Sequence, residues 1–283
     1  MGLLVTGATG FVGQYAIKYL KEKFTVSTVS LRNTKVNQID FTGITQILHL
    51  AGKAHQMEPI PDDIYFEVNH RLTIKLAKAA KAAGISHFVF VSSVKVYGDQ
   101  VKKELNENSA CNPTDPYGKS KLAAENDLLK LNDASFIVSI VRPPLVYGPN
   151  AKGNLDKLKD LIQKLPVLPL GSINNERSMV FVGNLTELFI HILKVKQSGI
   201  FIAGDQEYVS TTRLVNTMMD YMKVKKPNIT IPAFIWKLIK QIRPAIYVRL
   251  CESYKINNSL TNSRLNFKPP FRFEEGIEAM INN

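Results

Sequence analysis

The chain has 283 residues, 45% of them hydrophobic and 21% charged, and its 36 Lys and Arg against 24 Asp and Glu give a net charge of +12. This composition excludes disordered, collagen-like and low-complexity classes, and the length allows a large buried core without disulfide staples. The only two cysteines, Cys111 and Cys251, form no Cys-x-x-Cys and no Cys/His cluster, so neither a metal site nor a secreted disulfide framework is expected.

The first residues, Gly2-Leu3-Leu4-Val5-Thr6, read as a short buried strand without a basic signal region, which points to a cytoplasmic protein. Thr6-Gly7-Ala8-Thr9-Gly10-Phe11-Val12-Gly13 follows, and a helix is expected from Phe11 to about Glu22. Glycines spaced in this way between a first strand and a first helix suit a dinucleotide. One permits a tight turn, one lets backbone N–H groups approach a pyrophosphate, and one lets helix and strand pack closely. Gly7, Thr9, Gly10, Phe11, Val12 and Gly13 are therefore candidate cofactor residues. The second strand, Phe24–Ser30, leads to Leu31 and Arg32. There is no carboxylate at that point to take a ribose 2′-hydroxyl. A small hydroxyl at Ser30 and a cation at Arg32 suit a 2′-phosphate, so the reading leans to NADP(H) over NAD. A strand over Ile44–Ala51 and a long helix over Asp62–Ala83 come next.

A strand over Ser86–Ser92, a helix over Pro116–Leu131 and a strand over Ser135–Val141 complete an alternation that implies a doubly wound parallel sheet. Tyr-x-x-x-Lys occurs three times, at Tyr19/Lys23, Tyr117/Lys121 and Tyr221/Lys225. Only the second follows a strand ending in Val91-Ser92-Ser93, on the sheet edge where a cofactor would lie. Asp115 can cap that helix and Pro116 suits its first position, which places Tyr117 and Lys121 on one face. A phenol ordinarily titrates near ~10, too high for a base at neutral pH. A neighbouring ammonium and an oxidised nicotinamide are expected to lower it. Tyr117 would then exchange a proton with a sugar oxygen while hydride moves, Ser93 would hold that oxygen, and Lys121 would also bond the cofactor ribose.

After Pro143 the texture changes, with prolines at 143, 144, 149, 166 and 169. The expected architecture is a Rossmann-type α/β domain over residues 1–150, to which some later segments return, and a smaller substrate-binding lobe over 151–283. Ala233–Arg243 is apolar with cations at Lys237, Lys240 and Arg243. It reads as a helix packed in the core of that lobe, or else as one lying on anionic lipid. No apolar run reaches the ~18–20 residues of a membrane span. The scattered lysines form no run of five basic residues, so nucleic acid is not an expected partner, and the positive field suits a phosphate-bearing small molecule.

Taken with Val91-Ser92-Ser93-Val94-Lys95-Val96-Tyr97-Gly98 and Asp115-Pro116-Tyr117-Gly118-Lys119-Ser120-Lys121, the glycine loop resembles the extended short-chain dehydrogenase/reductase family, in its nucleotide-sugar, UDP-glucose 4-epimerase-like branch. The resemblance implies further cofactor positions at Asp40 and Phe41, at Leu50, Ala51 and Gly52, at Asn69 and at Pro143. It implies substrate contacts at Ser93, Tyr117, Asn154 and Arg177. It extends to the C-terminal Ser263–Pro269, and it implies a homodimer through helices 62–83 and 116–131. Two departures narrow the reading. Ser30 stands where NAD-using epimerases carry an acid. Val94 and Lys95 stand where 4,6-dehydratases carry an Asp-Glu pair, which argues against water elimination.

Two reactions remain, 4-epimerisation of a UDP-sugar through a 4-keto intermediate and NADPH-dependent reduction of a UDP-4-keto-6-deoxy sugar. A lipid-linked sugar epimerase and a non-catalytic cofactor-binding protein are weaker readings. His55 can approach the substrate or be structural. Cys111 is assigned no chemistry.

Overall fold

The computed structural model describes residues 2–54, 60–99, 103–151 and 153–282. In chain order the elements are β1 (Gly2–Thr6), α1 (Phe11–Leu20), β2 (Thr25–Val29), β3 (Ile44–His49), α2 (Asp62–Phe66), α3 (Leu72–Ala82), β4 (His87–Val91), α4 (Pro116–Leu131), β5 (Ile137–Arg142), β6 (Leu145–Tyr147), α5 (Asn154–Lys164), β7 (Met179–Phe181), α6 (Val182–Val195), β8 (Gly199–Ile202), α7 (Thr211–Tyr221), α8 (Ala233–Ile242), α9 (Pro244–Cys251), α10 (Ser259–Leu265) and α11 (Phe273–Ile281).

Six strands form one parallel sheet in the order β2-β1-β3-β4-β5-β8. Successive side chains on each strand point to opposite faces, and both faces are buried. Leu3, Val5, Leu48, Val89 and Val141 meet α1 and α6 on one side. Leu4, Ile47, Phe88, Phe90, Val138 and Ile140 meet α3 and α4 on the other. This is a Rossmann-type doubly wound α/β fold. The register sets the working edge. Thr6 pairs with His49, His49 with Phe90, Val91 with Val141, and Arg142 with Ile202. The segments leaving β1, β3, β4 and β5 therefore emerge side by side. From β1 the chain goes outward to β2 and then crosses back to β3 on the other flank of β1, and this reversal opens a crevice.

At the outer edge, β2 is mostly polar, and its Thr25, Ser27 and Thr28 are exposed. The short connection to β3 holds a 3-10 turn, Val36–Gln38, and β2 remains the edge strand among the described residues. Past β5, the short parallel pair β6-β7 packs with α5, α7 and α11 around Tyr147, Phe181, Val215, Met218, Phe273 and Ile277. From this region the chain returns to the large sheet as α6 and β8.

Two expectations are corrected. The helix read over Asp62–Ala83 is interrupted by a turn of π-helix, Glu67–Arg71, because its hydrogen bonds slip by one residue there. The segment Ala233–Arg243 is helical but not packed in the core. No residue of α8 is buried, although Trp236 leans on the lobe's cluster. Helices α3 and α4, part of the expected subunit contact, cover the same face of the sheet, and Ile64 and Leu129 are exposed. Among the described residues no helix is long and apolar enough to cross a membrane, and no group of His, Cys, Asp and Glu is placed to hold a metal.

Candidate active site

The glycine loop lies at the reversal point of the sheet. Gly7 has φ 72°, and a Cβ there would sit 2.5 Å from the Ala51 amide. A Cβ at Gly13 would sit 2.3 Å from the Gly7 carbonyl oxygen. Any side chain at either position would push α1 off β1 or close the loop. Gly10 caps α1 without a side-chain bond, and the first turn of α1 carries no acid. The helix N–H groups and the positive end of its dipole are left to an incoming anion. Thr9 and Gly10 are exposed, while Phe11 and Val12 anchor the turn against the lobe's core.

Facing this loop, Leu50-Ala51-Gly52 leaves β3. The Leu50 and Ala51 amides donate to the carbonyl and the hydroxyl of Thr6, both at 3.2 Å. A Cβ on Gly52 would lie 3.0 Å from Asn69 Oδ1 and 3.2 Å from Lys121 Nζ, so glycine keeps the backbone bare beside the ammonium. Asn69, fully buried in the π-turn, brackets this strand exit. Its Oδ1 accepts from the Lys53 amide at 2.7 Å, and its Nδ2 donates to the Lys53 carbonyl and the Ser120 hydroxyl, each at 3.1 Å.

The third side of the crevice is α4. Asp115 Oδ1 accepts from the Gly118 amide at 2.7 Å, and Pro116 opens the helix. Tyr117 and Lys121 follow one turn apart. The Ser93 hydroxyl caps the short turn Val94–Tyr97 and hydrogen-bonds the Tyr117 phenol. The Val94 amide donates to the carbonyl of buried Pro143 at 3.1 Å, which joins the exits of β4 and β5. Lys121 donates to the Val91 carbonyl at 2.8 Å, with its ammonium 4.6 Å above the Phe90 ring. Burial pushes Lys121 down to about 8, against the pull of Glu125. The protein groups alone do not give the expected acidic phenol. Burial pushes Tyr117 up to about 12, Asp115 and Tyr65 add to the rise, and only the Ser93 bond opposes it. In the protein alone, Tyr117 is a proton donor.

The remaining candidates lie further out. Asp40 is exposed, and its carboxyl is held below its usual value by accepting from Thr42, while Phe41 packs at the margin of the sheet core. Arg32 lies in the turn after β2. Together with Asn33, Thr34, Lys35, Leu72 and Lys75 it lines an open pocket of about 290 Å³. Asn154 begins α5 on the surface. Arg177 donates through Nη1 to the carbonyls of Val248, Arg249 and Glu252 at 3.2, 2.9 and 3.2 Å, so it clasps the end of α9. His55 lies outside the described residues.

Two groups were not picked out as site residues from sequence. His49 bridges Thr6 at 2.7 Å and Thr73 at 2.9 Å beneath the crevice, and burial next to Lys121 pushes it down to about 3. One turn beyond Lys121, Glu125 pairs with Arg142 in the interior. Isolated hydroxyls and charges in the sequence give no sign that they meet.

These surroundings fit a dinucleotide, with bare backbone and helix N–H groups for its diphosphate and, one turn apart at the start of α4, a phenol and an ammonium. A model of the NAD dependent epimerase/dehydratase family matches residues 3–204. The UDP-glucose 4-epimerase of Vibrio cholerae is 33% identical over 98% of this chain and 93% of its own length. The UDP-glucuronic acid 4-epimerase of Bacillus cereus, solved with NAD, superposes with a TM-score of 0.78 at 18% identity, covering 100% of this chain and 98% of that one. A dTDP-4-dehydrorhamnose reductase of Bacillus anthracis, solved with NADP, superposes with a TM-score of 0.78 at 17% identity, covering 98% and 97%. The last two share the fold.

Proposed function

The chain belongs to the NAD dependent epimerase/dehydratase family, and from that premise we propose that it is an NAD(P)-dependent UDP-sugar 4-epimerase working through a 4-keto sugar. The observation that carries the proposal is the Ser93–Tyr117 hydrogen bond, one helical turn from buried Lys121, whose ammonium faces Gly52. The loop Gly7–Gly10 and the start of α1 (Phe11, Val12, Gly13) would hold the dinucleotide diphosphate. Leu50, Ala51 and Gly52, bracketed by Asn69, would line its nicotinamide half together with Pro143, and Asp40 and Phe41 would flank the adenine. The cofactor supplies hydride exchange at C4 and, when oxidised, a positive charge beside the phenol that favours phenolate.

Tyr117 exchanges the proton of the sugar C4 oxygen. Ser93 holds that oxygen by a hydrogen bond and keeps it in line with the phenol. Lys121 supplies the local positive charge and fixes the ribose. Asn154 meets the sugar's diphosphate from the lobe side, whereas the Arg177 guanidinium is turned to the α9 carbonyls. Relation to a 33% identical UDP-glucose 4-epimerase along nearly the whole chain supports epimerisation over other carbonyl chemistry.

A second reading, NADPH-dependent reduction of a UDP-4-keto-6-deoxy sugar, is favoured by one observation. The pocket after β2 is lined by Arg32, Lys35 and Lys75, with Ser30 in place of an acid. Three cations suit a 2′-phosphate. A phenol near 12 also suits protonation of a ketone oxygen. The two readings separate by product. UDP-sugars incubated without added reductant and followed by NMR should interconvert at C4 with no net cofactor consumption. Oxidation of NADPH in step with loss of a 4-keto sugar, and no interconversion, would replace the epimerase by the reductase. Activity in neither assay would remove both.

A further inference from the structure

The segment from Ile229 to Ile246 carries an unusual share of the protein's uncovered apolar surface. Among the described residues twelve large apolar side chains are exposed, and five of them, Ile229, Phe234, Leu238, Ile242 and Ile246, fall in this short span. Phe234, Leu238 and Ile242 follow one another every four residues on α8, so they form a stripe along one face. Their exposures of 69%, 51% and 64% show that nothing among the described residues covers it. A ten-residue helix of this kind gains little by facing water.

The hairpin of α8 and α9 is nevertheless held firmly on its other side. Trp236, Leu250 and Cys251 pack against the lobe's core. The last carbonyls of α9 are bonded by Arg177, Asn175 and Thr211. The stripe is thus presented outward by an anchored scaffold.

Charge identifies the occupant. From Ala233 to Cys251 the chain carries Lys237, Lys240, Arg243 and Arg249 and no carboxylate. All four cations are exposed. Lys237 borders the stripe, one turn from Phe234 and next to Leu238. Lys240 lies 4.9 Å over the Tyr247 ring and 3.5 Å from Glu252 at the hairpin's end. A second copy of this chain docking through the same face would bring the same cations together, in a protein already at +12. The surface instead fits a partner that is anionic, flat and apolar just beneath its charge. We infer that the α8–α9 hairpin docks the protein on an anionic lipid bilayer. Phe234, Leu238 and Ile242 enter the boundary between headgroups and acyl chains, and Lys237 and Arg243 meet lipid phosphates. The inference concerns where the protein works and stands apart from the reaction at Tyr117.

The test is flotation of the full chain with phosphatidylcholine vesicles, with and without phosphatidylglycerol. Binding is expected to the anionic vesicles at low salt, with loss as salt screens the charges. The double substitution Phe234→Asp and Leu238→Asp should weaken it about a hundredfold. The pair Lys237→Gln and Arg243→Gln should weaken it roughly fivefold per charge and leaves the helix's packing untouched. Both pairs lie outside the crevice, so thermal unfolding and turnover on a soluble substrate should not change. No flotation with anionic vesicles at low salt overturns the inference, as does equal flotation with neutral ones. Undiminished binding by both variants overturns it too. Conversion of an oligomer to a monomer by the Asp pair, without loss of lipid binding, would assign the face to a second copy.

Discussion

Tyr117 and Lys121 are shifted by burial in opposite senses, the phenol up to about 12 and the ammonium down to about 8. At neutral pH both therefore carry a proton, and Lys121 is the group closer to losing it. Because kcat/KM reports the free enzyme, its pH profile should fall as pH rises through about 8, where Lys121 gives up its charge. Lys121→Arg, which stays charged, should lower activity through misfit but remove that alkaline limb. A limb unchanged in this variant would assign the titration elsewhere. Tyr117→Phe deletes the proton carrier and should cost about a thousandfold in kcat, with cofactor binding, read by fluorescence quenching, retained. Full turnover in that variant would discredit the assignment. Spacing alone did not set Tyr117/Lys121 apart from Tyr19/Lys23 and Tyr221/Lys225 as the candidate pair; the preceding strand did, and that context is local. The direction of the phenol's shift was not legible. It depends on how deeply α4 sinks beside Ser93, and that is set by residues far apart in the chain. The Thr6–His49–Thr73 chain was hidden for the same reason, since each partner lies on a different element.

Elements carry their own signals unequally. The limits of α4 were readable to the residue because Asp115 and Pro116 announce its start. The π-turn Glu67–Arg71 was not, since its apolar residues keep helical spacing while the backbone bonds slip. Yet that turn places Asn69 where it brackets Lys53 and Ser120. Helix α4 is fastened to β5 by an interior ion pair, equally unannounced. Arg142 Nε donates to Glu125 Oε1 at 3.0 Å and its Nη2 donates to Oε2 at 2.5 Å. The Arg142 Nη1 donates to the Tyr97 hydroxyl at 2.7 Å. The side chains are 3% and 1% exposed, so removing one partner strands the other charge away from water. Glu125→Leu alone should destabilise the fold by about 3–5 kcal/mol. The double substitution Glu125→Leu with Arg142→Met should recover most of that loss in denaturant unfolding. A double variant as unstable as the single one would show that the pair's role is packing, not charge balance.

At the scale of the whole molecule, the alternation of apolar strands and helices made the sheet legible, because every strand from β1 to β5 is a short run between turn signals. The small lobe was legible only as a change of texture. Its strands β6 and β7 have three residues each, and its helices are ordered by contacts distant in sequence, such as Arg177 on α9. Two histidines tie the sheet together at opposite ends, His49 where β3 ends and His87 where β4 begins, the latter bonded to Ser139 at 2.8 Å. Burial, with Lys121 near one and Lys196 near the other, pushes them down to about 3 and about 4. Both are therefore neutral in the folded protein well below the pH of about 6.5 at which an unfolded chain protonates them. Their contribution to stability is complete above about 6.5 and is lost as pH falls toward 4 and then 3, because the unfolded state takes up protons that the folded state refuses. By pH 5 each should have withdrawn about 2 kcal/mol of unfolding free energy. Denaturant midpoints measured at pH 7 and pH 5 should differ accordingly, and His49→Gln, which keeps polar atoms between Thr6 and Thr73, should remove about half of the difference. A midpoint that does not move between these pH values would mean that both rings are protonated in place, and that the interior is wetter beneath the crevice than the packing of β1, β3 and α3 implies.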